Sequence, residues 1–278
     1  MMTRLTATAL VMAMACIVPW PAPAADLPIF DAHIHYSHDA WDVVPPKEAI
    51  AILRKAGLKR ALVSSSSDEG TQKLLAEAPD LIIPELRPYR TRGETGSWVR
   101  DDSVIPYLEE RLKTYRYVAI GEFHLSGADA DLPVPKRLVE LAGRHSLMLH
   151  AHSNADAVER LFRHDPNARI LWAHAGFEPI GKVREMMRKH KNLWADLSFR
   201  SEVASGDRLT AEWRALFVEF PDRFMVGTDT YTPGRWPHVV ENARWARAWL
   251  SELPRDLAER IAFRNGESLL ADAYAKRR

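Results

Sequence analysis

The strongest constraint on the fold is a regular alternation of short apolar runs with amphipathic stretches. Each run is short enough to be a β-strand buried on both faces. The eight runs are residues 29–33, 60–64, 81–84, 117–122, 147–150, 169–174, 193–197 and 224–227. The stretches between them have helical periodicity, as in residues 46–56, 104–114, 134–145, 155–164, 180–190, 211–220 and 237–250.

Eight strands that alternate with helices indicate a parallel sheet with right-handed crossovers. We therefore predict an α/β fold, a (β/α)8 TIM barrel, whose usual length of about 250 residues suits this chain. A doubly wound open sheet is the alternative. The second and third units are the least regular, because residues 64–67 are all serine and residues 84–98 lack a clear period. Residues 255–270 are predicted to pack as a helix after the eighth unit.

The first 24 residues have the features of a secretory signal peptide. Arg4 precedes an apolar stretch over residues 5–18, and Ala22-Pro23-Ala24 is a small-x-small cleavage pattern. Cleavage there leaves residues 25–278 as a single barrel domain. The apolar stretch is shorter than the roughly 20 residues of a membrane-spanning helix, so we expect no stable membrane insertion and a secreted or periplasmic protein. An uncleaved anchor is the alternative.

Charge and cysteine content narrow the class of protein. The chain has 38 basic and 37 acidic residues, which excludes a polybasic nucleic-acid-binding protein. Its single cysteine, Cys16, excludes a disulfide scaffold and a cysteine-based zinc finger. We expect a small-molecule substrate as the partner. A homo-oligomer is left open, since the late tryptophans, such as Trp213, Trp236, Trp245 and Trp249, fit either an interface or helix packing.

The sequence His33-Ile34-His35 ends the first predicted strand. Side chains two residues apart on a strand point to the same side, so both imidazoles can face the barrel axis. Neutral imidazole is a good ligand for zinc and similar divalent ions. Two ordinary polar residues at a strand end are the alternative explanation.

Other ionisable side chains also follow apolar runs. The carboxyl ends of all barrel strands share one face, which carries the active site in this fold. Buried imidazoles and carboxylates are costly unless they are paired or bind metal. Five such strand endings therefore predict a common site formed by His33, His35, Glu122, His124, His150, His152, His174 and Asp229.

This pattern resembles the metal-dependent hydrolases of the amidohydrolase superfamily, in its amidohydrolase-related branch. The resemblance runs from the Asp31–His35 motif to residues 265–270, and so covers nearly all of the mature chain. It implies that His33, His35, His150, His174 and Asp229 bind metal and that Asp229 is the general base. Glu122 stands where binuclear members have a bridging carboxylate, whereas mononuclear members lack that bridge.

The resemblance implies a divalent metal, zinc being the first candidate, with one or two ions. The metal would activate a water molecule to cleave an amide, ester, lactone or related bond. Asp229 would take the proton of the attacking water and pass it to the leaving group. His174 would orient or stabilise the oxyanion, or complete a second metal site. On strand five we favour His150 as ligand, because it follows the apolar run directly, and assign His152 to substrate binding.

Arginines near the strand ends suggest how a substrate is held. Guanidinium groups suit a carboxylate or phosphate, so a small anionic substrate is one expectation. We assign substrate contacts to Arg87, Arg200 and Tyr231, which follow strands three, seven and eight. A solvated rim is the alternative for each arginine.

Competing functions differ in how well they fit the sequence. Residues 64–67 do not form a Gly-x-Ser-x-Gly elbow, and neither a phosphate-binding loop nor a dinucleotide fingerprint occurs. A metal-dependent decarboxylase of the same family remains as a chemical alternative. A non-catalytic periplasmic binding protein is the alternative outside enzymes.

Overall fold

Eight parallel strands form one sheet in the computed structural model, which describes residues 27–275. They are hydrogen-bonded in sequence order. The strands are β1 (Ile29–Ile34), β2 (Leu58–Val63), β3 (Ile82–Leu86), β4 (Ala119–Leu125), β5 (Met148–Ser153), β6 (Ile170–Trp172), β7 (Leu193–Asp196) and β8 (Phe224–Met225). A short two-stranded hairpin, Ala204–Ser205 with Arg208–Leu209, lies between β7 and β8.

The ring is closed between β1 and the chain that follows β8. The Ala32 amide donates to the Val226 carbonyl at 2.8 Å, and the Asp229 amide donates to the His33 carbonyl at 2.7 Å. These bonds make the sheet a (β/α)8 barrel and rule out the open-sheet alternative.

Side chains of the first strand reinforce this seam. Asp31, which is fully buried, accepts hydrogen bonds from the backbone amide and the hydroxyl of Thr228 at 3.1 and 2.6 Å. The Thr230 hydroxyl accepts from the His35 amide at 2.9 Å and donates to the His35 carbonyl at 2.7 Å. The start and the end of the barrel are therefore held together at the level of the candidate site.

Ten α-helices accompany the strands within residues 27–275. Seven of them begin and end within two residues of the predicted bounds. The helices are α1 (Pro46–Lys55), α2 (Glu69–Glu77), α3 (Val104–Thr114), α4 (Pro133–Arg144), α5 (Ala155–His164), α6 (Ile180–Lys189), α7 (Ala211–Glu219), α8 (Val239–Leu250), α9 (Arg255–Glu259) and α10 (Asn265–Ala275).

Helix α2 was not predicted, and a glycine in its first turn explains why. Glycine has low helix propensity and weakens the helical pattern. A Cβ atom at Gly70 would lie 1.8 Å from the carbonyl oxygen of Tyr36. Glycine is therefore required for the close approach of α2 to the loop after β1. At this position tertiary packing, not intrinsic helix propensity, determines the residue.

The segment after the eighth unit is broken where one helix was predicted. A π-helical turn, Arg260–Arg264, separates α9 from α10. Asn265 at the start of α10 donates to the carbonyls of Pro221 and Phe224 at 3.0 and 2.9 Å. Leu269 and Leu270 join the barrel residues Phe30, Ala32, Leu62, Ile83, Val118, Ala119, Met148, Leu171 and Met225 in a buried apolar cluster.

Replacing Gly266 by alanine is expected to lower the free energy of unfolding by about 1–3 kcal/mol. The new Cβ would lie 2.4 Å from the buried ring of Phe30. Gly181 in α6 has no atom within 4 Å of the same position, so Gly181→Ala should be neutral or stabilising by up to about 1 kcal/mol. Urea unfolding measures both, and equal stability of the two variants would contradict this account of the packing.

No helix within residues 27–275 combines the length and the apolar character that crossing a membrane requires. The predicted signal peptide falls on residues 1–24, which lie outside the described residues. Secretion or a periplasmic location therefore stays a prediction. Trp213 and Trp249 are buried and each packs against Phe217, and Trp236 is buried against Tyr36, so contacts within the chain account for these three side chains; a homo-oligomer stays a prediction.

Candidate active site

A cavity of about 390 Å3 opens at the carboxyl ends of the barrel strands. Eight residues predicted from the sequence line it: His35, Arg87, Glu122, His124, His152, His174, Asp229 and Tyr231. Position on successive strand ends brings together side chains that are far apart in the sequence.

The floor of the cavity is a compact cluster of nitrogen and oxygen donors. The Nε2 atoms of His33 and His35 lie 3.0 Å apart. Oδ1 of Asp229 is 3.9 Å from the first and 3.5 Å from the second. The Glu122 carboxylate approaches the same two nitrogens at 3.4 and 3.2 Å. His174 completes the cluster, its Nε2 lying 3.8 Å from both Glu122 and Asp229.

The opposite nitrogens of these rings determine their tautomers. Nδ1 of His35 lies 2.7 Å from the Ser64 carbonyl, and Nδ1 of His174 lies 3.0 Å from the Ser198 carbonyl. A carbonyl oxygen can only accept, so each Nδ1 carries a proton and the Nε2 atom of each ring faces the cluster. Nδ1 of His33 is 3.2 Å from the Asp196 carboxylate, which favours the same tautomer. Fixing a metal-binding histidine through its other nitrogen is the usual arrangement in metalloproteins.

This geometry fits a divalent cation. The Nε2 atoms of His33 and His35, 3.0 Å apart, either share a proton or, when both rings are neutral, offer two lone pairs to a cation. Oδ1 of Asp229 is buried and has no hydrogen-bond partner, which is costly for a carboxylate oxygen. A set of imidazole nitrogens and carboxylate oxygens suits zinc and similar ions. Three overlapping trios that share His33 have donor atoms within 4.8 Å of one another: His33 with His174 and Asp229, with His35 and Glu122, and with His150 and Asp196.

The electrostatics of the cluster favour positive charge. Burial opposes protonation of His33, but the carboxylates of Asp229, Asp196 and Glu122 outweigh it and raise the pKa of His33 well above its ordinary value. Burial alone would raise the pKa of the Glu122 and Asp196 carboxyls, yet His33 and other nearby histidines hold both pKa values well below the usual range. Burial, with the positive charge of Arg87, lowers the pKa of His35. The buried carboxylates thus create a field that attracts a cation.

Two buried carboxylates beneath the cluster were not predicted. Asp196 lies at the end of β7, contacts His33, and accepts from the Ser198 amide at 3.0 Å. Glu85 in β3 lies 3.0 Å from Nδ1 of His150. Asp196 lies within the apolar run 193–197 and Glu85 directly follows the run 81–84, so both carry the same sequence signal as Glu122 and Asp229.

The two histidines of β5 have different surroundings. Nε2 of His150 lies 3.5 Å from the Asp196 carboxylate, beneath the cluster, and Glu85 contacts its other nitrogen. Burial opposes protonation of His150, but Glu85 and Asp196 raise its pKa to about 9. His152 instead lines the cavity, with Nδ1 2.8 Å from Oε1 of Glu122.

His124 stands beside His152 at the mouth of the cavity. The two rings stack with their centroids 4.1 Å apart. Burial lowers the pKa of His124 to about 3, so the ring is neutral at physiological pH. Glu122, His124 and His152 form a further trio of donors within 4.8 Å of one another, closer to solvent than the floor cluster.

The predicted arginines occupy different places. Arg87 lines the cavity, and its guanidinium binds the Glu122 carboxylate at 2.6 Å and the Glu122 carbonyl at 2.9 Å. Arg200 is not one of the described residues that line this cavity. Its guanidinium instead donates to the carbonyls of His174 and Glu178 at 2.9 and 2.8 Å, which holds the chain after β6 in place. Tyr231 stands at the mouth and is 45% exposed.

Unusual backbone geometry concentrates at this end of the barrel. A positive φ is uncommon for a residue other than glycine, and such residues cluster at functional sites. Six non-glycine residues of the described chain have one, and five of them lie here: His174, Ala175, Phe177, Phe199 and Asp229.

Fold and site together define a barrel protein whose ionisable side chains converge at the end that carries catalysis in this architecture. The sequence profile described as amidohydrolase matches residues 30–270. The chain therefore belongs to the amidohydrolase family, as its motifs predicted. No curated protein matches the sequence.

Solved structures share this fold at low sequence identity. An uncharacterised TIM-barrel protein from Bordetella bronchiseptica is 15% identical with a TM-score of 0.62, over 89% of this chain and 100% of the other. A probable 2-pyrone-4,6-dicarboxylic acid hydrolase from Acinetobacter baumannii, solved with citric acid bound, is 12% identical with a TM-score of 0.59, over 87% and 99%. An amidohydrolase from Bifidobacterium longum subsp. infantis is 14% identical with a TM-score of 0.53, over 88% and 99%.

Proposed function

We propose that this protein is a metal-dependent hydrolase that cleaves an amide, ester, lactone or related bond of a small substrate. The observation that carries the proposal is the convergence of the His33 and His35 Nε2 atoms, 3.0 Å apart, with the unpartnered Oδ1 of Asp229. Membership of the amidohydrolase family supports the same chemistry.

His33, His35, His174, Glu122 and Asp229 are the residues that would hold the metal, with zinc as the first candidate. A bound divalent cation would lower the pKa of a coordinated water to about 7 and polarise the bond to be cleaved. Oε1 of Glu122 lies 3.4 Å from Nε2 of His33 in the floor cluster and 2.8 Å from Nδ1 of His152, a position between two donor sets that supports a second ion as well as a single one.

Hydrolysis adds the elements of water across the scissile bond. In this proposal the Asp229 carboxylate accepts one proton from the attacking water while the new carbon–oxygen bond forms. The protonated Asp229 then gives that proton to the nitrogen or oxygen of the leaving group as the scissile bond breaks, which restores the carboxylate. His174 would stabilise the oxyanion that develops between these steps when its Nε2 carries a proton, whereas the neutral tautomer, with Nδ1 bonded to the Ser198 carbonyl, offers Nε2 as a metal ligand.

The surroundings of the two β5 histidines support different roles. His152, which lines the cavity and touches Glu122, is proposed to meet substrate or a second ion. His150 lies between Glu85 and Asp196 and forms a donor trio with His33 and Asp196, so a role as metal ligand remains the proposal for it. Arg87 and Tyr231 are the proposed substrate contacts, whereas the bonds that Arg200 makes to backbone carbonyls support a structural role.

Metal content tests the proposal directly. Purified wild-type protein, loaded with zinc and dialysed, is expected to retain at least one equivalent by plasma mass spectrometry. The His33→Ala/His35→Ala variant should retain almost none, while His238→Ala, which removes an exposed histidine, should bind as the wild type does. Absence of bound metal in the folded wild-type protein, even after loading with several divalent ions, would overturn the proposal.

Product analysis separates the hydrolase from the decarboxylase alternative. A hydrolase incorporates oxygen from isotopically labelled water into its product, whereas a decarboxylase releases carbon dioxide without it. Release of carbon dioxide with no incorporated label would replace hydrolysis by decarboxylation.

A further inference from the structure

Three aromatic side chains surround the mouth of the cavity with their rings open to solvent. Phe177 is 54% exposed, Phe199 41% and Tyr231 45%. Among the described residues, half of the large exposed apolar or aromatic side chains are these three, which share one cavity. A cluster of exposed apolar groups at a cleft marks a binding surface. We call these three residues the aromatic clamp.

Each phenylalanine of the clamp is supported from behind. The ring of Phe177 stacks on His174 at a centroid distance of 4.5 Å and an angle of 16°. Phe199 lies against the guanidinium of Arg235 at 4.1 Å, and Arg235 is held by the Asp229 carbonyl at 2.5 Å. One face of each ring is therefore fixed, while the exposed part faces the cavity mouth, so little ordering is needed on binding.

The backbone that carries the clamp is held in an unusual conformation. Phe177 and Phe199 have φ values of 53° and 58°, which bulky side chains rarely adopt. The preceding residue, Gly176, also has a positive φ, and a Cβ there would lie 2.2 Å from the Trp172 ring. The guanidinium of Arg200 ties down the carbonyls on either side of this turn. Conformations of this kind persist where surrounding contacts maintain them, and they cluster at ligand-binding sites.

From these observations we infer that the substrate carries a flat, unsaturated ring, which the aromatic clamp holds while the scissile bond faces the floor cluster. This inference rests on the proposed hydrolase function and names its substrate class. Aromatic faces bind planar rings by offset or edge-to-face packing, beyond the contribution of buried area. A cavity of about 390 Å3 suits a molecule with a single ring.

Kinetics on matched substrates test the inference. Metal-loaded enzyme is assayed on esters, amides and lactones in pairs that carry either a phenyl or a cyclohexyl group. Phe177→Ala and Phe199→Ala are expected to lower kcat/KM at least about tenfold on the phenyl members, mainly through KM, and less than about threefold on the cyclohexyl members. Phe199→Leu, which keeps apolar area without an aromatic face, should resemble Phe199→Ala. Val218→Ala, on the outer helix α7 and 62% exposed in the wild type, is the matched control.

A binding measurement separates failure of the clamp from failure of the hydrolase. Benzoate and cyclohexanecarboxylate are titrated into wild type and variants, and tryptophan fluorescence is followed. If no substrate is hydrolysed but benzoate binds about tenfold more weakly to both alanine variants, the hydrolase proposal fails and the clamp stands. Equal losses on phenyl and cyclohexyl compounds, full activity of Phe199→Leu on phenyl substrates, or no loss at all would each overturn the clamp.

Discussion

Replacing Asp229 by asparagine is expected to lower kcat by about 10²- to 10⁴-fold, because the carboxamide side chain of asparagine cannot act as the base that accepts the proton of the attacking water. The side chain would stay in place, because the backbone amide of residue 229 donates to the His33 carbonyl at 2.7 Å. The substitution replaces only one carboxylate oxygen by an NH2 group. Oδ1 of Asp229 lies 3.5 Å from His35 Nε2, so the same change also weakens a proposed metal contact.

Steady-state kinetics and metal analysis on the same sample separate these two effects. A loss of kcat in an Asp229→Asn variant that retains its metal assigns the proton transfer to Asp229. Asp207→Asn, at an exposed hairpin position, is the control and should keep full activity. Full activity of Asp229→Asn with metal bound would remove Asp229 from the mechanism.

Replacing Arg111 by methionine is expected to lower the free energy of unfolding by about 3–5 kcal/mol, because it leaves a buried carboxylate without its cation. Asp68, before α2, is 1% exposed. It accepts hydrogen bonds from Arg111 Nε at 2.9 Å and from the Tyr117 hydroxyl at 2.6 Å. Methionine keeps the apolar stem of the arginine while removing the charge.

The loss of stability should depend on pH. Burial already holds the pKa of Asp68 above its ordinary value, although Tyr117 and Arg111 oppose the shift. Without Arg111 that pKa rises further, so the folded state binds a proton that the unfolded chain releases, and stability falls as pH rises. The deficit should be largest at neutral and alkaline pH and should shrink as pH falls towards the pKa of folded Asp68.

Denaturant unfolding at several pH values measures this deficit. Lys113→Met on the same helix is the matched control, because Lys113 is 75% exposed and its 3.6 Å pair with Glu110 contributes little. A deficit in Arg111→Met below about 1 kcal/mol at neutral pH, or one that grows in acid, would show that Asp68 is not stabilised by this arginine.

The barrel could be predicted because strands buried on both faces must be apolar along their whole length. Prediction from the local sequence pattern failed where tertiary contacts determine the structure. Helix α2 was not predicted because Gly70 weakens the helical pattern, although glycine is needed there for the close contact with the Tyr36 carbonyl. Strand β8 ends at Met225, earlier than predicted, because the chain turns so that the Asp229 amide can reach β1.

The candidate site was predictable where ionisable residues follow apolar runs, since the fold then brings these ends together. The role of each residue in the site depends on which atoms are in contact, and the spacing of residues in the sequence does not predict these contacts. His150 and His152 both follow the same run, yet one lies over Glu85 and the other faces the cavity. Arg200 was placed near the substrate from its position after β7, but its contacts with backbone carbonyls could be found only in three dimensions.

The candidate site lies at the seam between the first strand and the chain after β8, and its residues therefore help to hold the barrel together. Thr230 and His35, which hydrogen-bond across it, are 195 residues apart in the sequence. A cation shared by His33, His35 and Asp229 would join the same two parts of the chain as a removable cross-link. Metal loading and ring closure would then be one coupled equilibrium, in which free metal ion stabilises the folded barrel by mass action.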